Sequence, residues 1–253
     1  MFRHAIVRTP SASMIHGLTS AGLGAPDYPT ALDQHRRYVR ALEACGLTVT
    51  VLPAEENFPD ATFVEDTAVL TPRCAVITRP GAPSRRGETA AIEGALGRFH
   101  PVLERIQAPG TLDGGDVMLV GDHAYIGLSG RTNREGARQL IAILGRYGMT
   151  GSTVPLKHVL HLKTGVSYLG GNLLAASGEF LSEPQFRAFD LLPIADDERH
   201  AANCLWVNGR VLVPDGFPKT RAAIAAAGCP TVALAVSEFQ KLDGGLSCLS
   251  LRF

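Results

Sequence analysis

Cys248 lies in the closing stretch DGGLSCLSLRF. A cysteine acts as a nucleophile when a proton-handling partner, usually histidine, stands beside it and a third group orients that partner. Eight histidines are available. His4, His35, His100 and His200 sit in ordinary helix, strand or loop contexts and read as structural, His16 falls in a loop, and His123 opens a strand. His158 and His161, in LKHVLHLKTGVSYLGGN, have an H-x-x-H spacing. On a strand that spacing sends the two side chains to opposite faces, which argues against a metal site. His161 is nearer the glycine-bearing segment and is the better catalytic candidate of the pair. The competing reading of Cys248 is a small packed apolar side chain on a closing strand, the usual place of a free cysteine.

Carboxylates gather in two stretches: FPDATFVED, with Asp60, Glu65 and Asp66, and LDGGD, with Asp113 and Asp116. Beside strand starts such residues can be simple turn-formers. Brought to one rim they would make an acidic pocket suited to a cation, and a planar guanidinium meets carboxylates through paired, charge-assisted hydrogen bonds. Arg85-Arg86 in GAPSRRGE and Arg131 in LSGRTN hold matching places in two similar segments. Each is either solvated surface charge or a grip for a substrate carboxylate.

Elements that repeat along the chain must position these side chains. VEDTAVLTPRCAVITRPGAPSRRGETAAIEGALGRF and GGDVMLVGDHAYIGLSGRTNREGARQLIAILGRYG both read as strand, turn, strand, loop, helix. In the second helix Ala137, Leu140, Ile141 and Leu144 fall at i, i+3, i+4, i+7, the period of a half-buried helix. GGNLLAASGEFLSEPQFRAFD echoes the pattern with a shortened helix, and AANCLWVNGRVLVPDGFPKTRAAIAAAGCPTVALAV restores it. GGLSCLSLRF supplies only a first strand, and the missing remainder stands at the other end as HAIVRTP, the helix PTALDQHRRYVRALEACG and the strand LTVTVLP. About five modules of roughly 30 to 55 residues, the last one split, predict a closed ring in which the C-terminal strand pairs with the N-terminal ones. The expectation is an α/β fold of five modules with pseudo-fivefold symmetry in a single domain over residues 1–253. The first strands open with Glu65-Asp66, Gly114-Gly115-Asp116, Gly170-Gly171-Asn172, Ala202-Asn203 and Gly244-Gly245, entrances that would converge on the ring axis and bring Cys248 to that rim.

The totals exclude several classes. With 253 residues, 45% of them hydrophobic, the chain can bury a full core. Balanced charge, 24 basic against 24 acidic residues, offers no attraction to nucleic acid or an anionic membrane. No apolar run reaches the roughly 18 residues of a membrane span, and the N-terminus MFRHAIVRTP lacks a signal-peptide core, so a cytoplasmic location is expected. Five widely spaced cysteines without a C-x-x-C pair suggest reduced thiols and neither a zinc site nor a disulfide framework.

Taken together, GLTS at 17–20, FPDATFVED at 58–66, ITRPGAPSRRGE at 77–88, LDGGDVMLVGD at 112–122, RTNREGARQ at 131–139, LHLKTGVSYL at 160–169, AANCLWVN at 201–208 and KLDGGLSCLSLRF at 241–253 resemble the dimethylarginine dimethylaminohydrolases. These belong to the guanidino-group-modifying enzymes, which also include arginine deiminases and amidinotransferases. The resemblance implies an αβ-propeller of five modules. It implies Cys248 as nucleophile, His161 as general acid/base and Asp113 as the group that orients it. Asp66 would bind the guanidinium with support from Asp60 and Glu65, Arg85 and Arg131 would hold the α-carboxylate, and Leu18 and Leu242 would give backbone contacts to the amino-acid end. GLTSAGLGAPD reads as a lid over the entrance. Methylated arginine would be the small-molecule substrate and citrulline the product. No metal or organic cofactor is implied, and a homodimer is allowed.

Two other readings use the same residues. One is a deiminase-like or other guanidine hydrolase on this fold, although the arginine deiminases carry an additional helical domain and are much longer. The other is a non-catalytic protein that holds a cationic amino acid in the acidic pocket.

Overall fold

The computed structural model describes residues 1–253. The same three-stranded sheet is built five times. Strands β1 (His4–Arg8) and β2 (Thr48–Leu52) are parallel and joined by helix α1 (Tyr28–Ala44). Next come β3 (Ala68–Leu70), β4 (Ala75–Ile77), α2 (Thr89–Leu96) and β5 (Leu103–Arg105), followed by β6 (Val117–Val120), β7 (His123–Leu128), α3 (Arg134–Arg146) and β8 (Thr150–Pro155). The fourth unit opens with the one-turn helix α4 (Leu162–Gly165) and holds β9 (Val166–Gly170), β10 (Leu173–Ala176) and β11 (Asp190–Pro193). The fifth holds β12 (Leu205–Val207), β13 (Arg210–Pro214), α5 (Pro218–Ala226) and β14 (Thr231–Leu234), and is followed by the short α6 (Ser237–Gln240) and β15 (Leu251–Arg252).

In every sheet the first two strands are antiparallel and the third lies parallel to the middle one. The split unit obeys the same rule, because β15 pairs with β1 through Ala5–Arg252 and Ile6–Leu251. Local chemistry starts the helices where they are needed. Asp27 accepts the Thr30 N–H at 2.9 Å ahead of α1, with Pro29 in its first turn, and Asn133 accepts the Gly136 N–H at 2.8 Å ahead of α3. The buried stripe of α3 is Gly136, Ala137, Leu140, Ile143 and Leu144. Ile143 thus takes the fully buried place expected of Ile141, which packs at the edge of the stripe, as a helix of 3.6 residues per turn permits for either neighbour.

Five apolar clusters lie between successive sheets and close a circuit. Ile6 and Leu251 meet Ala68 and Ile77; Val69 and Val76 meet Val117 and Ile126; Met118 and Val154 meet Val166 and Leu174; Leu169 and Ala175 meet Val211 and Val213; Leu205 and Leu212 return to Ala5 and Val7. Each sheet therefore buries both faces of its hydrophobic set against two neighbours, which leaves the chain ends locked by the core itself.

A helical turn precedes every first strand: Val64–Thr67, Gly114–Asp116, Leu162–Gly165, Asp196–Ala202 and Ser247–Leu249. Neighbouring turns touch around the centre. One expected entrance is corrected. Gly170, Gly171 and Asn172 form the tight hairpin between β9 and β10, with φ of +87°, +55° and +73°, values that suit glycine and asparagine. The entrance of that unit is the turn that starts directly after His161. No helix is long and apolar enough to cross a membrane.

Candidate active site

His161 and Cys248 come from turns 87 positions apart in sequence, yet both line one small cavity of about 30 Å³ with Leu18, Asp60, Asp66, Arg85, Arg131 and Leu242. Phe63, Leu160, Asp243 and Gly244 complete the wall. The space holds about one water, so an amino-acid ligand requires the wall to give. Leu18 is its most exposed apolar member, at 42%. Its N–H donates to Asp60 Oδ1 at 3.0 Å, and farther along the same segment Ser20 N–H donates to Asp243 Oδ2 at 2.6 Å. The segment expected to act as a lid is thus fastened at the mouth.

The turns fix the polar groups by backbone chemistry. Asp113 Oδ2 lies 3.0 Å from His161 Nε2, and its other oxygen accepts the Gly81 N–H at 2.8 Å. Asp116 Oδ1 accepts the Leu162 N–H at 2.9 Å and so pins the residue after His161. Asp66 Oδ1 accepts the Gly115 N–H at 2.9 Å, while Oδ2 takes Arg85 Nη1 at 2.5 Å. Gly115 leaves the ring and the carboxylate in place: a Cβ there would stand 2.8 Å from both His161 Nδ1 and Asp66 Oδ1 and displace them.

The electrostatics follow from burial and these neighbours. Burial alone would discharge the His161 imidazole. Asp66, the Asp113 hydrogen bond and Asp116 outweigh it and hold its pKa up to about 9. Burial likewise opposes the Asp66 carboxylate, but His161, Arg85 and the Gly115 N–H bring it down to about 2. The Cys248 thiol is pushed up to about 12 by burial, then by the negative charge of Glu65 and Asp66, against the Gly245 N–H that points at its sulfur from 3.4 Å. At neutral pH the cavity therefore holds a neutral thiol, an imidazolium and a carboxylate. The cations that line the cavity, His161, Arg85 and Arg131, leave the thiol un-ionised against its burial and the two carboxylates.

One expected substrate contact, Glu65, faces elsewhere, and another, Arg85, lines this cavity but is already engaged. Glu65 does not line this cavity. Its carboxylate turns the other way and takes Lys163 Nζ at 2.6 Å, Ser247 Oγ at 2.7 Å and Arg252 Nη2 at 3.2 Å, beside a second cavity of about 490 Å³. Consecutive residues of a 3₁₀ turn diverge by about 120°, so Glu65 and Asp66 cannot share one side. Arg85 is buried and already gripped by Asp66, by both oxygens of Glu88 at 2.8 to 3.1 Å, and by the Phe63 carbonyl at 3.0 Å. The Arg131 guanidinium lines the cavity without an ion-pair partner. The larger cavity carries no nucleophile or imidazole of this set apart from the buried thiol Cys204, whose pKa burial pushes up to about 12.

Phe63, Leu160 and Asp243 line the cavity unexpectedly, and Gly244 does so as part of the expected Gly244-Gly245 entrance. The first two are apolar and carry no chemical signal, although Asp243 and Gly244 adjoin the expected Leu242 in KLDGG. The H-x-x-H pair His158 and His161 lies in a loop and not on a strand. Asp66, Asp113 and His161 are buried with one ligand atom each within 4.8 Å of one another, a spacing open to a divalent ion. The Arg85 guanidinium on Asp66 puts a positive charge where such an ion would compete. All five cysteines are free.

A closed circuit of five α/β units around a half-buried thiol, a buried imidazole and buried carboxylates defines the class: an α/β protein whose site is assembled from the turns of separate modules. The family model described as N,N dimethylarginine dimethylhydrolase, eukaryotic, matches residues 28–189. The N(G),N(G)-dimethylarginine dimethylaminohydrolase of Pseudomonas aeruginosa is 56% identical over 100% of both chains, and that of Streptomyces coelicolor is 38% identical over 99% of this chain and 96% of the relative. A cysteine-to-serine mutant of the Pseudomonas protein, solved with citrulline, superposes with a TM-score of 0.99 at 56% identity and full coverage of both chains. The N-terminal domain of ArgZ, an arginine dihydrolase from cyanobacteria, shares the fold alone, with a TM-score of 0.87 at 16% identity over 100% of this chain and 97% of that one. The chain belongs to the dimethylarginine dimethylaminohydrolase family.

Proposed function

We propose that this protein hydrolyses Nω-methylated L-arginines, asymmetric dimethylarginine and monomethylarginine, to L-citrulline and dimethylamine or methylamine. The observation that carries this reading is that the Cys248 thiol, His161 and Asp66 line one cavity, with Asp113 held on the imidazole from behind. A guanidinium entering that cavity adds a further positive charge, directly beside sulfur. It lowers the thiol pKa, and the thiol proton passes to solvent or base as the thiolate attacks the guanidinium carbon. The tetrahedral adduct collapses when the His161 imidazolium gives its proton to the leaving amine, since an amine leaves poorly as an anion. A covalent thiouronium on Cys248 remains. Water, deprotonated by the now neutral His161, adds to its carbon, and the C–S bond breaks to release citrulline and the thiol.

Asp66 and Asp60 hold the guanidinium so that its carbon faces sulfur, a positioning effect that contributes several kcal/mol, on the order of the lower range for oriented reactants. Arg131 takes the α-carboxylate, joined by Arg85 from the place it shares with Asp66 and Glu88. Leu18 and Leu242 frame the amino-acid end, and Glu65 acts from behind the nucleophile. The whole chain works as one catalytic domain, and its free thiols and lack of a membrane-spanning helix suit the cytoplasm.

The test is product analysis with asymmetric dimethylarginine, monomethylarginine and arginine in parallel. Citrulline and dimethylamine formed one to one from the dimethylated substrate support the hydrolase. Ammonia and citrulline from arginine alone would move the protein to the deiminases, and no turnover would leave a binding protein.

A further inference from the structure

The groups that bear chemistry face one side of the central turns, and their immediate neighbours face the other. Asp66, Cys248 and His161 line the small cavity, whereas Glu65, Ser247 and Lys163 line the large one. Besides Arg252, those three residues are joined to Asn203, at the end of the turn ahead of β12. Lys163 Nζ donates to Glu65 Oε1 at 2.6 Å, and Ser247 Oγ donates to Glu65 Oε2 at 2.7 Å. Asn203 Nδ2 donates to Ser247 Oγ at 3.1 Å and to the Lys163 carbonyl at 3.0 Å, which closes the ring. Its Oδ1 accepts the Ser247 N–H at 3.0 Å. A backbone N–H can only donate and a carbonyl can only accept, so one amide orientation satisfies this arrangement.

Asn203 is buried and its side chain packs close to Gly245, where an added Cβ would come within 2.5 Å of Asn203 Cγ. The Gly245 N–H is the one that points at the Cys248 sulfur. One amide therefore touches the nucleophile's turn at Gly245 and Ser247 and the acid/base turn at Lys163, two residues from His161. No other side chain hydrogen-bonds to the backbone of both turns.

We propose that Asn203 is a positioning residue that sets the Cys248 sulfur and the His161 ring at their working separation. The inference rests on the roles given above to Cys248 and His161. Its physical basis is that two reacting groups on separate turns need a common rigid reference, because a displacement of about 1 Å can lower a rate about 100-fold. A buried network with every member satisfied is stiff enough to supply one.

The experiment compares wild type, Asn203→Leu and Asn203→Asp for citrulline formation, with rates divided by the active sites that a thiol-directed affinity label can titrate. Asn203→Leu removes all three contacts. We expect kcat about 10- to 100-fold lower per titrated site with KM changed by less than about threefold, since the residues that bind the guanidinium and carboxylate are elsewhere. Asn203→Asp keeps the acceptor for the Ser247 N–H but turns a carboxylate oxygen toward the Lys163 carbonyl. Its deficit should shrink as pH is lowered and the carboxyl regains a proton to donate.

A kcat per site within twofold of wild type in Asn203→Leu, or a loss accounted for by fewer titratable sites, overturns the proposal. If Asn203→Leu does not fold, Asn203→Asp decides, and a deficit that is absent or independent of pH overturns it. Silence of the wild type toward all the methylarginines is a different result: it overturns the hydrolase reading and this inference with it.

Discussion

Asp113 Oδ2 and His161 Nε2 stand 3.0 Å apart across 48 positions of sequence, with Asp113 wholly buried and its second oxygen held by the Gly81 N–H. The carboxylate can neither rotate away nor be solvated, so the imidazole it meets is fixed in orientation and favoured in its charged form. Asp113→Asn keeps the shape and removes the charge. The His161 pKa should then fall from about 9, moving the alkaline limb of the kcat–pH profile to lower pH. We expect kcat at neutral pH to fall about 100-fold or more. An unmoved alkaline limb would separate Asp113 from proton transfer.

The resting thiol gives a second prediction. Ultraviolet thiolate absorbance, taken as wild type minus Cys248→Ser, should show Cys248 un-ionised at neutral pH, in line with a pKa of about 12. An unreactive alkylguanidinium should lower that value by placing a cation beside Asp66 and sulfur. A free-enzyme value below that of an ordinary cysteine, about 8.5, contradicts activation by the substrate's own charge.

Two adjacent glycines should fail in different ways. A Cβ on Gly114 would run into the Glu65 backbone carbonyl, which cannot swing aside, so Gly114→Ala should lose folded protein, read as a lower urea midpoint. A Cβ on Gly115 would meet the His161 ring and the Asp66 carboxylate, which can shift. Gly115→Ala should fold and lose about 100-fold in kcat. Equal stability losses in the two variants would contradict this division.

Stability should also report the buried imidazolium. His161 titrates near 9 in the folded chain against 6.5 for an unperturbed histidine. The folded state therefore holds the extra proton between those values. The contribution is complete below about pH 6.5 and is lost as pH rises through 9, at no more than about 1.4 kcal/mol per pH unit. Asp66, lowered from 3.8 to about 2, acts in the opposite sense and loses its contribution as pH falls through that range. Urea midpoints of His161→Asn should lack the alkaline decline, and a decline equal to wild type would place the titrating group elsewhere.

Much of this was legible in the chain. The repeat of strand, turn, strand and helix predicted five modules, and the orphan strand GGLSCLSLRF predicted the closure that pairs Leu251 with Ile6. Motif order assigned Cys248, His161, Asp113, Asp60, Asp66 and Arg131 by resemblance. The direction of Glu65 was not legible, because a short helical turn separates consecutive carboxylates to opposite sides while the sequence shows only that they adjoin. Gly170-Gly171-Asn172 looked like an entrance because glycine marks tight hairpins and close-packed turns alike. Asn203 showed only as part of a repeated rim; its three contacts depend on two other turns, 40 and 44 positions away.

The most direct measurement is the rate of citrulline formation from asymmetric dimethylarginine by Cys248→Ser beside wild type. An attack through sulfur predicts turnover by the wild type and none measurable by the variant, which should still bind the substrate because the proposed contacts at Asp60, Asp66 and Arg131 are unchanged. Citrulline formed by Cys248→Ser at a rate near that of the wild type would contradict the account.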